Sequence, residues 1–178
     1  MLQKEEEIRN EAVLAAAREI ILAVRTSPKT RGYDNMTILV ADGSDKEKLA
    51  AKMEEVNEKS GGKRPTFARD AKGLRLASAA ILIGVKAPAY GLNCGWCGFP
   101  NCEEKGKQPA VPCAFPVIDL GIGAGVASAG LADKRIDNRM MFSMGYAALA
   151  LGWFDGDVRL ALGFPLSVSG KNPYFDRS

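Results

Sequence analysis

The pattern of hydrophobic and polar positions predicts a chain in which helices and strands are mixed. Apolar residues recur every three or four positions through residues 2–24, with Glu and Arg between them, as in an amphipathic helix. Three short segments rich in apolar and β-branched residues predict buried strands: "MTILVADG", "SAAILIGVKA" and "VRLALGFPL". Helical patterns also cover residues 44–59, 67–76, 115–131 and 140–151.

Turn and capping residues divide these elements. Pro28 and Gly32 end the first helix, Ser44 and Glu47 form a capping box that opens the second, and Gly152 closes the last. The order of elements predicts an α/β (α+β) fold in which a single sheet is covered by helices. A chain of 178 residues can bury a substantial core, so we expect one domain over residues 1–178.

The helix after the last cysteine is built largely from small residues. Gly121, Gly125 and Ala129 recur every four positions, which predicts close packing of this face against another helix, with a two-fold axis as one arrangement. The apolar run "AFPVIDLGIGAGVASAGLA" approaches membrane-spanning length, but it contains Asp119 and few large apolar residues. We interpret it as a core or dimer helix, and we expect a homodimer.

Composition narrows the classes of function. Hydrophobic residues make up 47% of the chain and charged residues 25%, and the net charge of +3 is too small and too scattered to indicate nucleic-acid binding. The chain has no histidine, which excludes Ser/His/Asp and Cys/His arrangements and argues against hydrolase chemistry. The polar N-terminal segment "MLQKEEEIRN" is not a secretory signal, so we expect a cytoplasmic protein without a membrane partner, in which thiols stay reduced.

All four cysteines lie in one segment, residues 88–113. Their spacing is C-x2-C-x4-C-x10-C, formed by Cys94, Cys97, Cys102 and Cys113. Four thiolates can hold a 4Fe–4S cluster or close a tetrahedral zinc site, and disulfides or redox-active thiols are the remaining alternatives. In a cytoplasmic protein, clustered cysteines indicate metal ligands more than disulfides.

The residues between the cysteines favour a cluster among these alternatives. Gly95 and Gly98 each follow a cysteine directly, and glycine allows the backbone to wrap closely around a ligand with its amides facing the sulfurs. Trp96 and Phe99 could shield one side of the site from water. A structural zinc site more often has two separated CxxC pairs, whereas this chain has only one.

The motif "CGWCGFPNC…C" resembles the CGxCGxxxC…C element of iron–sulfur domains in corrinoid proteins and electron-transport subunits, in which all four cysteines hold a 4Fe–4S cluster. Over nearly its full length the chain also resembles a family of uncharacterised prokaryotic proteins described as containing a ferredoxin domain. The segments that carry this second resemblance are "RTSPKTRGYDN", the cysteine quartet, "DLGIGAGVASAGLADKRIDNR" and "GFPLSVSGKNPYFDR". The resemblance implies an iron–sulfur redox protein without specifying a reaction.

The order of elements is also similar to the flavin-dependent nitroreductase fold. "EIILAVRTSPKTRGYDNMTILV" looks like that fold's helix, flavin-contacting loop and first strand, and "LALGFPL" looks like its strand ending in Gly-Tyr-Pro. The resemblance implies FMN as a cofactor candidate bound at a dimer interface, with Ser27, Pro28 and Asn35 at the matching loop positions. Counterparts of the fold's Arg-Arg-Ser-x-Arg and Gln-Pro-Trp motifs are absent, and its Gly-Leu-Gly is Gly130-Leu131-Ala132 here.

The loop after the first helix is basic. Arg25, Lys29 and Arg31 lie within seven residues of one another beside Ser27, which is a suitable set for a flavin or another anion; a solvated loop is the alternative. The sequence therefore predicts an iron–sulfur electron carrier or a flavin-linked oxidoreductase with an unidentified redox partner. The alternative function is a non-enzymatic sensor or interaction module with a structural zinc or cluster.

Overall fold

The computed structural model describes residues 2–175 and contains one four-stranded sheet with helices on both of its faces. The strands are β1 (Met36–Asp42), β2 (Ala79–Lys86), β3 (Asp137–Asn138) and β4 (Val158–Ser167). The helices are α1 (Glu5–Thr26), α2 (Gly43–Lys59), α3 (Pro65–Leu76), α4 (Cys102–Gly106), α5 (Ala114–Asp133) and α6 (Phe142–Ala150), with a 3₁₀ turn at Thr30–Gly32. Asp176 and Arg177, which end one of the motifs above, lie outside the described residues.

The sheet is antiparallel throughout, in the order β1-β2-β4-β3. Ile83 in β2 pairs with Ile38 in β1 on one side and with Leu162 in β4 on the other. Almost every residue of β2 is buried because neighbouring strands flank it and helices cover both of its faces. This position explains why its sequence is a continuous apolar run rather than an alternating one.

Alternate residues of β2 serve two separate cores. Ile81 and Ile83 belong to a core that includes buried residues of α1 and α5, whereas Leu82 belongs to a core that includes residues of α2, α3 and α6. This division follows from the two-residue period of a strand, which sends successive side chains to opposite faces. The expected arrangement, a single sheet covered by helices, is confirmed.

One glycine sets the distance between α6 and the sheet. A Cβ atom at Gly145 would lie 1.8 Å from the carbonyl oxygen of Ala161 in β4, which no side chain can occupy. Gly145 therefore lets the backbone of α6 rest directly on the backbone of β4. The neighbouring Met144 is fully buried in the same layer.

Two expectations from the sequence differ from the structure in this part of the fold. Helix α2 begins at Gly43 with Asp42 as its N-cap residue, and no side chain caps it, so the predicted Ser44–Glu47 capping box is wrong. The helix starts one residue earlier than expected, which removes Ser44 from the capping position. The helical spacing of Met140, Met141 and Met144 predicts three core residues, and of these Met141 and Met144 are buried whereas Met140 is exposed.

The alternating charges of "DKRIDNR" (residues 133–139), between two apolar helices, predict a solvated turn, but the segment contains β3. Asp137 and Asn138 pair with Ser167 and Leu166 at the end of β4, and Ile136 is buried. The side chain of Asn138 also exchanges hydrogen bonds with Ser128 in α5. The sheet edge and α5 supply hydrogen-bond partners that polarity along the sequence does not reveal.

The small-residue face of α5 is open in this chain. A Cβ atom at Gly121 or Gly125 would meet no neighbour within 4 Å, whereas Gly123 and Gly130 of the same helix approach Met36 and Ile20 closely. By length and composition alone, α5 could cross a membrane. Its buried residues, which include Asp119, pack within the fold, as expected for a core helix.

Candidate functional site

The cysteine segment connects the end of β2 to the start of α5. Cys94, Cys97 and Cys102 are half-buried, whereas Cys113 is 4% exposed and is the N-cap residue of α5. The backbone N–H of Cys113 donates to the carbonyl oxygen of Ala87, just after β2 (3.3 Å). All four cysteines have free thiols. The segment is therefore anchored to the core at Cys113 and more exposed at the other three positions.

The backbone of the segment adopts the conformations expected from its glycines. Gly95 and Gly98 have φ angles of 74° and 84°, in the left-handed region where a residue with a side chain is strained. Asn93, directly before Cys94, also lies in this region with φ at 48°. Asparagine is among the few non-glycine residues that tolerate it. The turns around Cys94 and Cys97 thus depend on these residue types.

Asn93 and Cys102 hold each other through two hydrogen bonds. The backbone N–H of Asn93 donates to Sγ of Cys102 (3.3 Å), and the backbone N–H of Cys102 donates to Oδ1 of Asn93 (2.8 Å). The side chain of Asn101 caps the short helix α4 by accepting from the N–H of Glu104 (2.8 Å). An N–H donor aimed at a cysteine sulfur is the type of contact that supports the thiolate ligands of an iron–sulfur cluster.

The four thiols do not converge on one point. Within residues 2–175, no three Cys, Asp or Glu side chains form a group that could hold a metal ion. Four cysteine thiols, one of which accepts a backbone N–H, are chemically suitable ligands for a zinc ion or a 4Fe–4S cluster. The four cysteines are therefore close to one another along the chain, but the conformation of the segment does not bring their sulfur atoms together around one point.

Trp96 forms an aromatic contact with the helix that follows the segment. Its ring stacks on Phe115 in α5, with a centroid distance of 5.1 Å and an angle of 11° between the ring planes. Trp96 is still 67% exposed, whereas Phe99 is half-buried. The aromatic residue expected to shield the cysteines therefore holds the segment against α5.

The side chains of the basic loop are occupied by contacts within the protein. Arg25 donates to Oδ2 of Asp34 (2.7 Å) and to the carbonyl oxygen of Met36 (3.0 Å). Partial burial alone would raise the pKa of Asp34, but the hydrogen bond and the positive charge of Arg25 lower it overall. Ser27 donates to the carbonyl oxygen of Val24 (2.8 Å) and is buried.

Lys29 caps the C-terminal end of α1 and is not directed toward an open anion-binding site. Its ammonium donates to the carbonyl oxygens of Arg25 (2.6 Å) and Ser27 (2.9 Å), two of the acceptors exposed where the helix ends. A cation at this position is also stabilised by the helix dipole. Of the five predicted flavin or anion contacts, Arg25, Ser27 and Lys29 thus serve the local structure of the loop.

Arg31 and Asn35 bring the basic loop to the cysteine segment. Arg31 donates to the carbonyl oxygen of Tyr90 (3.0 Å), and Nδ2 of Asn35 donates to the hydroxyl oxygen of Tyr90 (2.9 Å). Tyr90 lies four residues before Cys94 and is buried. The two sequence features singled out as candidates, the basic loop and the cysteines, therefore meet at a residue that sequence reasoning did not identify.

Beneath this junction lies a buried carboxylate, Asp119 of α5, which is 2% exposed. Its Oδ1 accepts from both the backbone N–H (3.0 Å) and the hydroxyl (2.8 Å) of Thr30, and its Oδ2 accepts from the hydroxyl of Tyr90 (3.4 Å). Burial, and secondarily the negative charge of Asp119, raise the pKa of Tyr90 against the opposing effect of Asn35. In the sequence, Asp119 is a candidate to tune a cluster or flavin because it is the lone carboxylate of an apolar helix, and Thr30 lies beside the basic residues of the loop, but no local pattern marks Tyr90.

Comparison with known proteins identifies a family that matches the C-terminal part of the chain and a relative that aligns with all of it. The family profile that matches residues 109–177 is described as an uncharacterized protein containing a ferredoxin domain. Of the four cysteines, this stretch includes only Cys113. An uncharacterized protein of Archaeoglobus fulgidus is 45% identical over 186 residues, covering 100% of this chain and 98% of that protein.

Solved structures of nitroreductases share the fold. A nitroreductase family protein from Clostridium novyi has a TM-score of 0.60 at 12% identity and covers 86% of this chain and 73% of its own. The nitroreductase CinD from Lactococcus lactis, in complex with chloramphenicol, has a TM-score of 0.58 at 17% identity, with coverages of 98% and 86%. A nitroreductase with bound FMN from Desulfitobacterium hafniense has a TM-score of 0.54 at 14% identity, with coverages of 96% and 81%. The predicted nitroreductase-like fold is confirmed.

Proposed function

We propose a redox function for this chain, which belongs to the family of uncharacterized proteins containing a ferredoxin domain. The observation that carries the proposal is the gathering of all four cysteines into one segment between β2 and α5. The family description and the nitroreductase fold support the same class of chemistry. Electron transfer is the reaction type that these features share.

The proposed redox group is a 4Fe–4S cluster held by Cys94, Cys97, Cys102 and Cys113. Such a cluster, when bound, supplies one-electron transfer at a potential set by hydrogen bonds to its sulfurs and by exposure to solvent. In this chain, Asn93 already donates an N–H to the sulfur of Cys102. Cys113 is buried at the start of α5, so the segment would close around this fixed ligand as the more exposed cysteines bind.

FMN is a second cofactor supported by the fold, since solved neighbours include an FMN-dependent nitroreductase and a nitroreductase with bound FMN. The side chains of the basic loop do not fit a phosphate cradle, because Arg25 and Lys29 already donate to Asp34 and to backbone oxygens. We therefore assign the redox role to the cluster and derive no flavin contact from these two cations.

We also propose that the chain forms a homodimer through the open face of α5. Val117, Ile118 and Ile122 of this helix and Phe142 and Tyr146 of α6 are exposed apolar or aromatic residues. A largely apolar cavity of about 600 Å³ lies between the two helices and β4. A second copy of α5 could approach closely at Gly121 and Gly125, where the backbone has no neighbour.

Metal analysis of anaerobically purified protein tests the cluster. We expect iron and acid-labile sulfide in equal amounts, with the broad visible absorbance of a 4Fe–4S centre that bleaches on reduction. The same spectrum reports bound flavin. Zinc in a colourless sample would contradict the redox proposal and support the alternative of a structural metal that ties the end of β2 to α5.

A further inference from the structure

A second cavity, with a volume of about 450 Å³, lies beside the cysteine segment. It is bordered by the start of β4, the end of β2 and the helix α4 that follows Cys102. Its charged lining residues are Lys86, Lys105, Asp157 and Arg159. Three cations face one carboxylate, so the cavity has an excess of positive charge.

Lys105 is the unusual member of this set because it is only 3% exposed. Its ammonium donates to the carbonyl oxygen of Ala87 at 3.4 Å, and no carboxylate lies within ion-pair distance of it in the described part of the chain. A lysine ammonium has three donors, and a buried cation is normally paired with an anion. Lys105 thus brings an uncompensated positive charge to the cavity wall.

The other two cations differ in how far they are already neutralised. Lys86 forms an ion pair with Asp157 (Nζ to Oδ2, 2.8 Å), and this hydrogen bond raises the pKa of Lys86. Arg159 is exposed, and among residues 2–175 its guanidinium makes no hydrogen bond. Within residues 2–175, Arg159 and Lys105 are therefore the two cations of the cavity that have no ion-pair partner.

We propose that this cavity binds a small molecule through a dianionic oxyanion group, of the kind that a phosphate monoester carries. A phosphate has between one and two negative charges near neutral pH, which matches the two unpaired cations. The planar guanidinium of Arg159 can bind two phosphate oxygens at once, and the buried ammonium of Lys105 supplies a point charge in a less hydrated setting.

The position of the cavity places this ligand next to the cysteine segment. The carbonyl oxygen of Ala87 accepts hydrogen bonds from both the ammonium of Lys105 and the backbone N–H of Cys113. Among the described residues that line the cavity, Asp157 is the only acidic one, so a bound anion would face mainly cations. The phosphate proposal does not rest on the redox proposal, because none of the cavity's cations is a proposed cluster ligand or a cation of the basic loop. Lys105 does lie within the cysteine segment, on the helix that begins at Cys102, and Asn35 also lines the cavity.

Isothermal titration calorimetry of the full chain tests the site, with inorganic phosphate, glycerol 3-phosphate and succinate as separate probes. We expect both phosphate probes to bind, with affinity falling as sodium chloride is raised, because the recognition is electrostatic. Tighter binding of glycerol 3-phosphate than of inorganic phosphate would identify a phosphorylated metabolite as the ligand. Equal binding would identify free phosphate, and both results support the site.

Two substitutions and one control assign the binding to the cavity. Lys105→Met and Arg159→Gln should each weaken phosphate binding by about tenfold or more, since each removes a charge-assisted hydrogen bond. Lys107→Met removes the same charge two residues away, where the lysine is exposed and paired with Glu104, and should leave the affinity unchanged. Arg159 is exposed, so its variant tests the site even if Lys105→Met does not fold.

The proposal is overturned if none of the phosphate probes binds, or if Lys107→Met and Arg159→Gln weaken binding equally. Binding of succinate in preference to both phosphates would also overturn it, because it would show selection for a dicarboxylate. The titrations are run on iron-loaded and metal-free protein. Loss of binding only in the metal-free form would overturn a site that is complete without bound metal, whereas failure of metal loading alone would leave the phosphate proposal standing.

Discussion

The hydroxyl of Tyr90 donates to the buried carboxylate of Asp119 across a distance of 3.4 Å. This contact joins the residue that leads into the cysteine segment to the helix that follows it. Thr30 of the basic loop completes the same group with two donors to Asp119. Three parts of the chain that are far apart in sequence are therefore held at one buried carboxylate, next to the candidate metal ligands.

Removal of this carboxylate should destabilise the fold. In Asp119→Ala the N–H and hydroxyl of Thr30 lose their shared acceptor in a buried setting, which costs about 1–3 kcal/mol for an unsatisfied donor. Urea denaturation followed by circular dichroism measures the change. Asp133→Ala, at the exposed end of the same helix, is the matched control and should change stability by less than about 0.5 kcal/mol. Equal effects of the two variants would contradict a structural role for the Asp119 contacts.

The ion pair between Arg25 and Asp34 should contribute to stability at neutral pH and less in acid. The folded-state pKa of Asp34 is lowered, so its contribution is present above the ordinary aspartate pKa and is lost as pH falls through the lowered value. The pair is more than a third exposed, so the contribution should not exceed about 1 kcal/mol.

Comparison of wild type with Asp34→Asn measures this contribution. Between about pH 7 and pH 3, the wild type should lose more stability than the variant, because only the wild type has this carboxylate to protonate. Other acidic groups titrate in both proteins, and their effects cancel in the difference. A difference of zero would show that the Arg25–Asp34 contact contributes nothing measurable to folding.

The sequence predicted most of the fold because periodicity reports burial directly. The continuous apolar run of β2 and the three- and four-residue spacing in α1 are local patterns, and both elements formed within a few residues of the expected bounds. The strand β3 was missed because it depends on pairing with Leu166 and Ser167, which lie almost thirty residues further along the chain. Its own sequence is polar and only two residues long.

The candidate site could be predicted only in part, for the same physical reason. The four cysteines were identified from spacing alone, which requires no knowledge of the fold. Tyr90 has no distinguishing sequence context, and Thr30 is marked only by its place beside the basic residues of the loop. The importance of both residues arises from contact with Asp119. Lys105 lies in the charged stretch "CEEKGK", whose polarity along the sequence does not reveal that its side chain is buried and donates to the carbonyl oxygen of Ala87.

The side chain of Asn93 should support metal binding through its hydrogen bond to Cys102. Asn93→Gly keeps the left-handed backbone available but removes the acceptor for the N–H of Cys102, whereas Asn93→Asp retains an acceptor oxygen. We expect the iron cluster of the Gly variant to bleach faster in air than that of the wild type, with the Asp variant close to the wild type. Absorbance after anaerobic reconstitution measures the rate.

A different result would locate the effect elsewhere. One such result is that Asn93→Gly and Asn93→Asp both match the wild type while Asn93→Ala loses its cluster. That result would show that metal binding needs the left-handed backbone at this position and does not need the side-chain hydrogen bond. If all three variants match the wild type, Asn93 has no role in metal binding.

Substitution of Gly121 by alanine separates the monomer from the proposed dimer. Within one chain, a Cβ atom at Gly121 meets nothing within 4 Å, so alanine should stabilise α5 by up to about 1 kcal/mol through its higher helix propensity. If a second copy of α5 packs against this face, the added methyl group should instead weaken the dimer. Size-exclusion chromatography with light scattering over a range of protein concentrations measures the dissociation constant.

Gly145→Ala, whose Cβ would overlap the backbone of Ala161, is the contrasting variant and should unfold the chain itself. A Gly121→Ala protein that is more stable and equally dimeric would place the dimer interface away from this face of α5.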